Sequence, residues 1–347
     1  MSKKRTGGPE LNPRQIRVLY CISREYIASG RPVSSKQVLE HSNLKYSSAT
    51  VRNDMRKLEF LGYIYQPHTS AGRILTDKGL RFYLDSVKTI TEDLQESNVA
   101  IAIRQTSTVG DVEHLLQGMT RILARAVSGF VVIEKPKFDR LLVNSVSISK
   151  ITEGYLNVSI VTDLGVSLNT TVFLGASEFD IDSFQKYVNM AVVGKTIGEI
   201  RKGIRDVELR YDQWHDRRLQ DIINFLQSIF DKENEEKYYK YGLEFIISND
   251  LLDSADISGL VRSVENPRNL EILLNSFGDV YDQRVFIGEE VGREELRNFA
   301  VFVSPYSRND EKIGSVFVIS PKLTYYEKVN AYLDFSINRL SEVFSNR

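Results

Sequence analysis

Between Asn12 and Ser29, Ile16, Leu19, Tyr20, Ser23 and Ile27 recur at steps of three and four residues, which puts them on one face of a helix. Asn12-Pro13 reads as an N-cap followed by proline at the first helical position, where its missing N–H is not needed. Gly30 stops this helix, and Arg31-Pro32-Val33 extends the chain. Ser34 or Ser35 can cap a short second helix carrying Val38 and Leu39, and Asn43-Leu44-Lys45-Tyr46 makes a turn. A third helix starts at Ser47 with Val51, Met55, Leu58 and Leu61 on one face, and Gly62 ends it. Two helices joined by a tight turn make a helix-turn-helix. Tyr63-Ile64-Tyr65-Gln66 then alternates like a strand, as Arg73-Ile74-Leu75-Thr76 does more weakly, with a polar Pro67–Gly72 turn between them. The pattern predicts a two-stranded wing. Thr76 caps a further helix, from Asp77 to about Thr89, with Leu80, Tyr83, Leu84 and Val87 inward.

The rest of the chain opens with an amphipathic helix from Asp111 to Val127. Strand-like runs follow at Phe130–Ile133, Leu141–Ser149, Tyr155–Val161 and Ser167–Leu174, the last three alternating with period two. Residues 177–277 read as mostly helical, with an amphipathic helix at Trp214–Phe230 and an ambiguous stretch at Tyr238–Ile247. Strand signals return at Val285–Ile287, Phe299–Val303 and Gly314–Ile319, and a last helix spans about Tyr325 to Phe344. Strands, a helical block, then strands again predict an α+β fold interrupted by an insertion.

Charge divides the chain where the pattern does. The net charge of −1 over 347 residues conceals 16 Lys and Arg against 7 Asp and Glu in residues 1–90, leaving 29 basic and 39 acidic residues beyond. A basic head on an acidic body points to a domain that binds a polyanion. Apolar residues at 42% and charged residues at 26% are those of an ordinary globular protein. No run reaches the roughly 18 apolar residues of a membrane span, so no membrane partner is expected. The basic start Met1-Ser2-Lys3-Lys4-Arg5 lacks the apolar stretch of a secretory signal. A single cysteine, Cys21, fits a reducing cytoplasm.

The face of the third helix opposite its apolar stripe carries Ser48, Ala49, Arg52, Asn53 and Arg56, with Ser47 and Thr50 at its start. Arginine can pair with guanine O6 and N7, asparagine with adenine, and small residues let a helix enter the major groove closely. Ser35 and Lys36 open the preceding helix and join the candidate DNA contacts. The wing offers His68, Thr69, Ser70 and Arg73 to phosphates or the minor groove, although for His68 an ordinary surface histidine stays equally open. Lys57 and Glu59 read as a solvated face.

The run from Leu11 to Asp85 resembles the N-terminal domain of the HrcA family of heat-inducible transcription repressors. The resemblance is carried by Leu11-Asn12-Pro13-Arg14-Gln15, by Ser47 through Met55, by Leu61-Gly62-Tyr63, and above all by Gln66-Pro67-His68-Thr69-Ser70-Ala71-Gly72-Arg73. It continues through Thr76–Tyr83 and, more loosely, through Val285–Glu290, Ser304-Pro305-Tyr306, Ile313-Gly314 and Ile319-Ser320-Pro321. Where the family has Thr-Arg-Met-Asp-Tyr after that proline, this chain has Lys322-Leu323-Thr324-Tyr325-Tyr326. The resemblance implies an α+β multidomain protein: a winged helix-turn-helix at 1–90, a GAF-like domain at 91–176 and 278–347, and an inserted dimerisation domain at about 177–277. It implies a cytoplasmic homodimer that binds an inverted-repeat operator upstream of chaperone operons of the groE and dnaK type. It further implies dependence on the GroEL chaperonin, and association with the nucleoid when bound to DNA.

Other chemistry finds little footing, and neither a cofactor nor a metal is expected. Gly194-Lys195-Thr196 invites a phosphate-loop reading, but the loop needs a glycine where Asn189 stands. His41, His68, His114 and His215 are scattered, and with one cysteine they draw no zinc site. Gly288-Glu289-Glu290 adjoins a strand and reads as a turn. No nucleophile and base stand at a recognisable spacing, so an enzyme is not expected. A regulator whose body binds a small metabolite stays open as an alternative.

Overall fold

The computed structural model describes residues 11–41, 46–69, 71–87, 97–106, 112–173, 180–211, 224–227, 229–230 and 237–345. Helix α1 (Pro13–Ser29) starts on a reciprocal cap, in which Asn12 accepts from the Gln15 N–H and the Gln15 side chain accepts from the Asn12 N–H. Its buried stripe is Val18, Leu19, Ile22, Ser23 and Ile27. Ile16 and Tyr20, expected inside, are 37% and 39% exposed. Both stripes fit a 3.6-residue period, and the tertiary neighbours choose between them: Tyr20 lies at the rim against Tyr83, ring centroids 5.4 Å apart.

Helix α2 (Ser35–His41) is capped by Ser34, whose Oγ accepts from the Gln37 N–H at 3.3 Å. Residues 42–45, which hold most of the expected turn, lie outside the described residues. Helix α3 (Ser48–Phe60) takes Ser47 as its cap, and Gly62 follows it with φ +76°. Strands β1 (Ile64–Tyr65) and β2 (Ile74–Leu75) pair antiparallel with Ile64 opposite Leu75. Val33 and Arg73 exchange two backbone hydrogen bonds of 2.8 Å, which ties the α1–α2 connection to the foot of the hairpin. Helix α4 (Asp77–Ser86) is capped by Thr76 and stops at Ser86, short of the expected Thr89.

The body begins with α5 (Asn98–Thr106), α6 (Val112–Val127) and β3 (Phe130–Glu134). It continues with β4 (Val143–Thr152), β5 (Tyr155–Thr162), β6 (Ser167–Phe173), α7 (Ile181–Val192) and α8 (Ile197–Tyr211). Next come β7 (Tyr238–Tyr241), the single turn α9 (Leu243–Ile247), α10 (Ser254–Val264) and α11 (Pro267–Asn275). Strands β8 (Arg284–Ile287), β9 (Phe299–Arg308) and β10 (Glu311–Pro321) precede the last helix, α12 (Tyr326–Ser345). Of the expected helix at Trp214–Phe230, residues 214–223 and 228 lie outside the described residues, and 224–227 and 229–230 are helical.

Five strands form one antiparallel sheet in the order β7-β3-β10-β9-β8, and β4-β5-β6 form a separate one. Residues 177–277 are mostly helical among those described, as expected, whereas the sequence expected β4–β6 to share a domain with β3 and β8–β10. Instead, β3 is paired on both sides, by β10 and by β7, and offers β4 no edge. The ambiguous stretch at Tyr238–Ile247 is that second partner followed by a helical turn. Strand β4 pairs with β5 and turns its other edge to α7, where Asn189 bonds the Val146 N–H and C=O and Gln185 accepts from the Ile148 N–H.

The larger sheet is covered on both faces, so its strands read as unbroken apolar runs. Phe130, Val132, Val301, Val303, Phe317 and Ile319 pack with α10 and α11 residues such as Leu260 and Leu273. The alternate positions Val131, Ile133, Phe302, Val316 and Val318 pack with α6 and α12 residues such as Leu123 and Leu333. Tyr306 lies fully buried, its hydroxyl donating to the Glu134 carbonyl at 2.6 Å. Gly314 opposite it cannot carry a side chain, because a Cβ would meet the Tyr306 ring 2.5–2.6 Å away. Tyr306 and Gly314 are thus accounted for by packing.

Candidate nucleic-acid interface

Helix α3 divides sharply into two faces. Val51, Asp54, Met55 and Leu58 are buried against α1 and α2, while Ser48, Ala49, Arg52, Asn53 and Arg56 are exposed. A carboxylate in an apolar stripe needs a partner, and Arg14 at the start of α1 supplies it. Its Nε and one terminal nitrogen donate to the two Asp54 oxygens at 2.6 and 3.0 Å. The Asp54 side chain is 4% exposed, and the pairing raises the Arg14 pKa above its usual value, through the hydrogen bond first and the charge second. A fork-to-fork pair fixes angle as well as distance, so it sets how α3 sits on α1.

The start of α3 is capped by a side chain and free of acidic residues. Ser47 Oγ accepts from the Thr50 N–H at 3.1 Å and lies 2.8 Å from Thr50 Oγ1. The first turn carries no acid, and its unsatisfied N–H groups give it a partial positive charge. Arg52 is exposed, and its Nε reaches Ser35 Oγ at 3.5 Å, joining α3 to half-buried Ser35 at the start of α2. Lys36 is exposed beside it, 3.7 Å from Glu40. Asn53 and Arg56 extend the same open face.

The hairpin tip presents exposed His68 and Thr69; Ser70 lies outside the described residues. Gln66 holds the tip in shape, its side-chain amide donating to the carbonyls of Thr69 and Ala71 at 2.8 and 2.9 Å. Arg73 is not at the tip. It stands at the hairpin's foot, where its guanidinium donates to Glu59 of α3 at 3.2 Å and its Nε is buried with no hydrogen-bond partner among the described residues. Glu59, expected to be merely solvated, anchors the hairpin to the helix. Gly72 is required there, since a Cβ would come 2.5 Å from the Val33 carbonyl carbon.

The structure therefore gathers Ser35, Lys36, Ser47–Thr50, Arg52, Asn53 and Arg56 on one side of the head, and turns Arg73 from a contact into a brace. The pattern-based reading missed Arg14, Asp54, Glu59 and Gln66. The one available hint was an acid, Asp54, in phase with an apolar stripe. Away from the head, Val143 at the start of β4 accepts from the Gly194 N–H and donates to the Lys195 carbonyl in the turn after α7. That turn follows the end of α7 and lies against β4. Cys21 lies half-buried in α1.

Comparison with known proteins extends over the whole chain. The family model described as HrcA protein C terminal domain matches residues 113–330. The heat-inducible transcription repressor HrcA of Thermotoga petrophila is 38% identical over 344 residues, 99% of this chain and 97% of the relative. The protein of that name from Syntrophobacter fumaroxidans is 27% identical, covering 96% of this chain and 97% of its own. A crystal structure of a hypothetical protein, 37% identical, superposes with a TM-score of 0.73 over 97% of this chain and 99% of that one.

Proposed function

Because this chain belongs to the HrcA family, a family of transcription repressors and not of enzymes, we propose that its first ninety residues are a winged helix-turn-helix that reads operator DNA. The observation that carries the reading is the open face of α3, with Arg52, Asn53 and Arg56 exposed while Arg14 and Asp54 lock the opposite face. Arg52 and Arg56 pair with guanine edges and Asn53 with adenine in the major groove. Ser47, Ser48, Ala49, Thr50, Lys36, His68, Thr69 and Ser70 meet phosphates or sugar. Ser35 orients Arg52, and Arg73 braces the wing.

The body is a GAF-like domain interrupted by an insertion. Its five-stranded sheet with helices on both faces supports that reading. The strand pairing favours an insertion made of β4–β6 with α7 and α8 over one confined to 177–277. The protein acts in the cytoplasm as a homodimer, with two heads on the halves of an inverted repeat in front of chaperone operons, since dimer symmetry is mirrored in operator symmetry. The GroEL chaperonin maintains the active form, so stress that occupies the chaperonin relieves repression.

The test is a titration of an inverted-repeat element from a chaperone operon, at fixed salt, with and without chaperonin. Binding of one dimer per repeat, strengthened by chaperonin, is expected. Monomer binding, or an affinity indifferent to chaperonin, would remove the dimer or the chaperonin from the account respectively.

A further inference from the structure

The head meets the body through polar contacts concentrated on α4. Arg81 donates from Nε to Glu290 Oε1 at 3.1 Å and from a terminal nitrogen to Glu290 Oε2 and to the Val285 carbonyl. Glu290 is itself held in place by accepting from the Ile287 N–H at 3.0 Å. One turn earlier in α4, Asp77 accepts from the Glu289 N–H at 3.0 Å and from Lys322 Nζ at 3.3 Å. Gly288 presses its backbone against the Asp77 carboxylate, where no side chain would fit. Gly288-Glu289-Glu290, a mere turn when read as sequence, is the socket for α4. Lys322 begins the stretch in which this chain departs from the family pattern.

A second contact lies on another side of the head, where Gly30 at the end of α1 rests on Leu251; a Cβ at Gly30 would come 2.6 Å from Leu251 Cδ2. Beside α4 the joint is incompletely filled. An open cleft of about 680 Å³ lies among Arg81, Asp85, Arg284, Asn330 and Asp334. Domains joined by small polar interfaces move relative to one another unless something holds them. Here a few charges act beside apolar contacts, since Leu80 and Leu84 of α4 belong to one buried cluster with Tyr326 and Val329, and in the latched position Arg52, Asn53 and Arg56 of α3 stay exposed.

We propose that Asp77 and Arg81 on α4, clasped by Glu289, Glu290 and Lys322, form a latch that fixes the head on the body and so sets the spacing of the two reading heads. The proposal rests on the dimeric operator-binding reading for its consequence in DNA binding, but not for the latch itself. A rigid, matched spacing turns the second half-site contact into an intramolecular one. Releasing the latch spreads the head positions and reduces that advantage, without touching the residues that read a single half-site.

The experiment uses full-length protein with Glu290→Gln and Lys322→Met, each of which removes a latch charge while keeping roughly the side chain's size. Spin labels at Arg17→Cys and Arg268→Cys, with Cys21→Ser, report the head-to-body distance without DNA. Affinities for an inverted repeat and for a single half-site are measured in parallel. The expected result is a broadened distance distribution, with the advantage of the full site over the half-site falling by roughly tenfold or more while half-site affinity is unchanged. An unchanged, narrow distribution in the double variant would overturn the latch. So would equal losses on full and half-sites, which would signal a damaged head. If the wild-type protein ignores the inverted repeat, it is the operator reading that fails, and the distance measurement still decides the latch.

Discussion

Asp54 lies between Val51 and Met55 in the buried stripe of α3, where an unpaired carboxylate would be costly, and Arg14 meets it from forty residues away. Replacing Asp54 by alanine frees Arg14, which is 41% exposed on its side chain and can turn to water. The expected loss is therefore modest for a charged hydrogen-bonded pair, about 1–2 kcal/mol of unfolding free energy. Urea denaturation checks it; a midpoint unchanged from wild type would mean that the pair does not hold α3. Arg52 belongs to the opposite, exposed face, where the proposed role is reading a base. Arg52→Ala should weaken operator binding by about 1–3 kcal/mol while leaving scrambled DNA nearly untouched. Equal losses on both DNAs in a fluorescence anisotropy titration would make Arg52 a phosphate contact instead.

At the scale of elements, what was legible in the sequence was local. Asn12, Ser47 and Thr76 cap the helices they were expected to cap, and β1 pairs with β2 within the two expected strand runs. The phase of α1 was not legible, because Ile16 with Tyr20 and Val18 with Ile22 satisfy the same period and only the neighbouring helices separate them. Nor was the division of strands between sheets: β4, β5 and β6 alternate convincingly, but alternation does not say which edge a strand will find. Among the candidate contacts, the exposed face of α3 could be read from periodicity alone. The brace between Arg73 and Glu59 could not, because it depends on where the hairpin folds back. That brace and the Val33–Arg73 backbone pairing meet at Gly72, whose Cβ position is already occupied by the Val33 backbone. Gly72→Ala should therefore cost about 1–3 kcal/mol, as an overpacked site does. Hydrogen exchange should show faster exchange at Val33 and Arg73 while the α3 amides stay protected. Uniform exposure of the head would instead mean that the hairpin and helices unfold as one unit.

For the whole molecule, a basic head is joined to an acidic body. A neutral total charge gives no general attraction to DNA, so affinity depends on the phosphates that the head meets. If two heads neutralise about six to ten phosphates, affinity should fall by roughly 10³–10⁵ between 50 and 200 mM salt. A nearly flat salt dependence, measured on the intact protein, would mean that the charged face of the head is not the contact surface. The most direct measurement is the ratio of affinities of the intact protein for a chaperone-operon inverted repeat and for the same bases scrambled, at one salt concentration. A preference of about 10³-fold or more for the repeat is expected, within the range of specific DNA-binding proteins. Equal affinity for the two DNAs, from protein shown to be folded and dimeric, would contradict it.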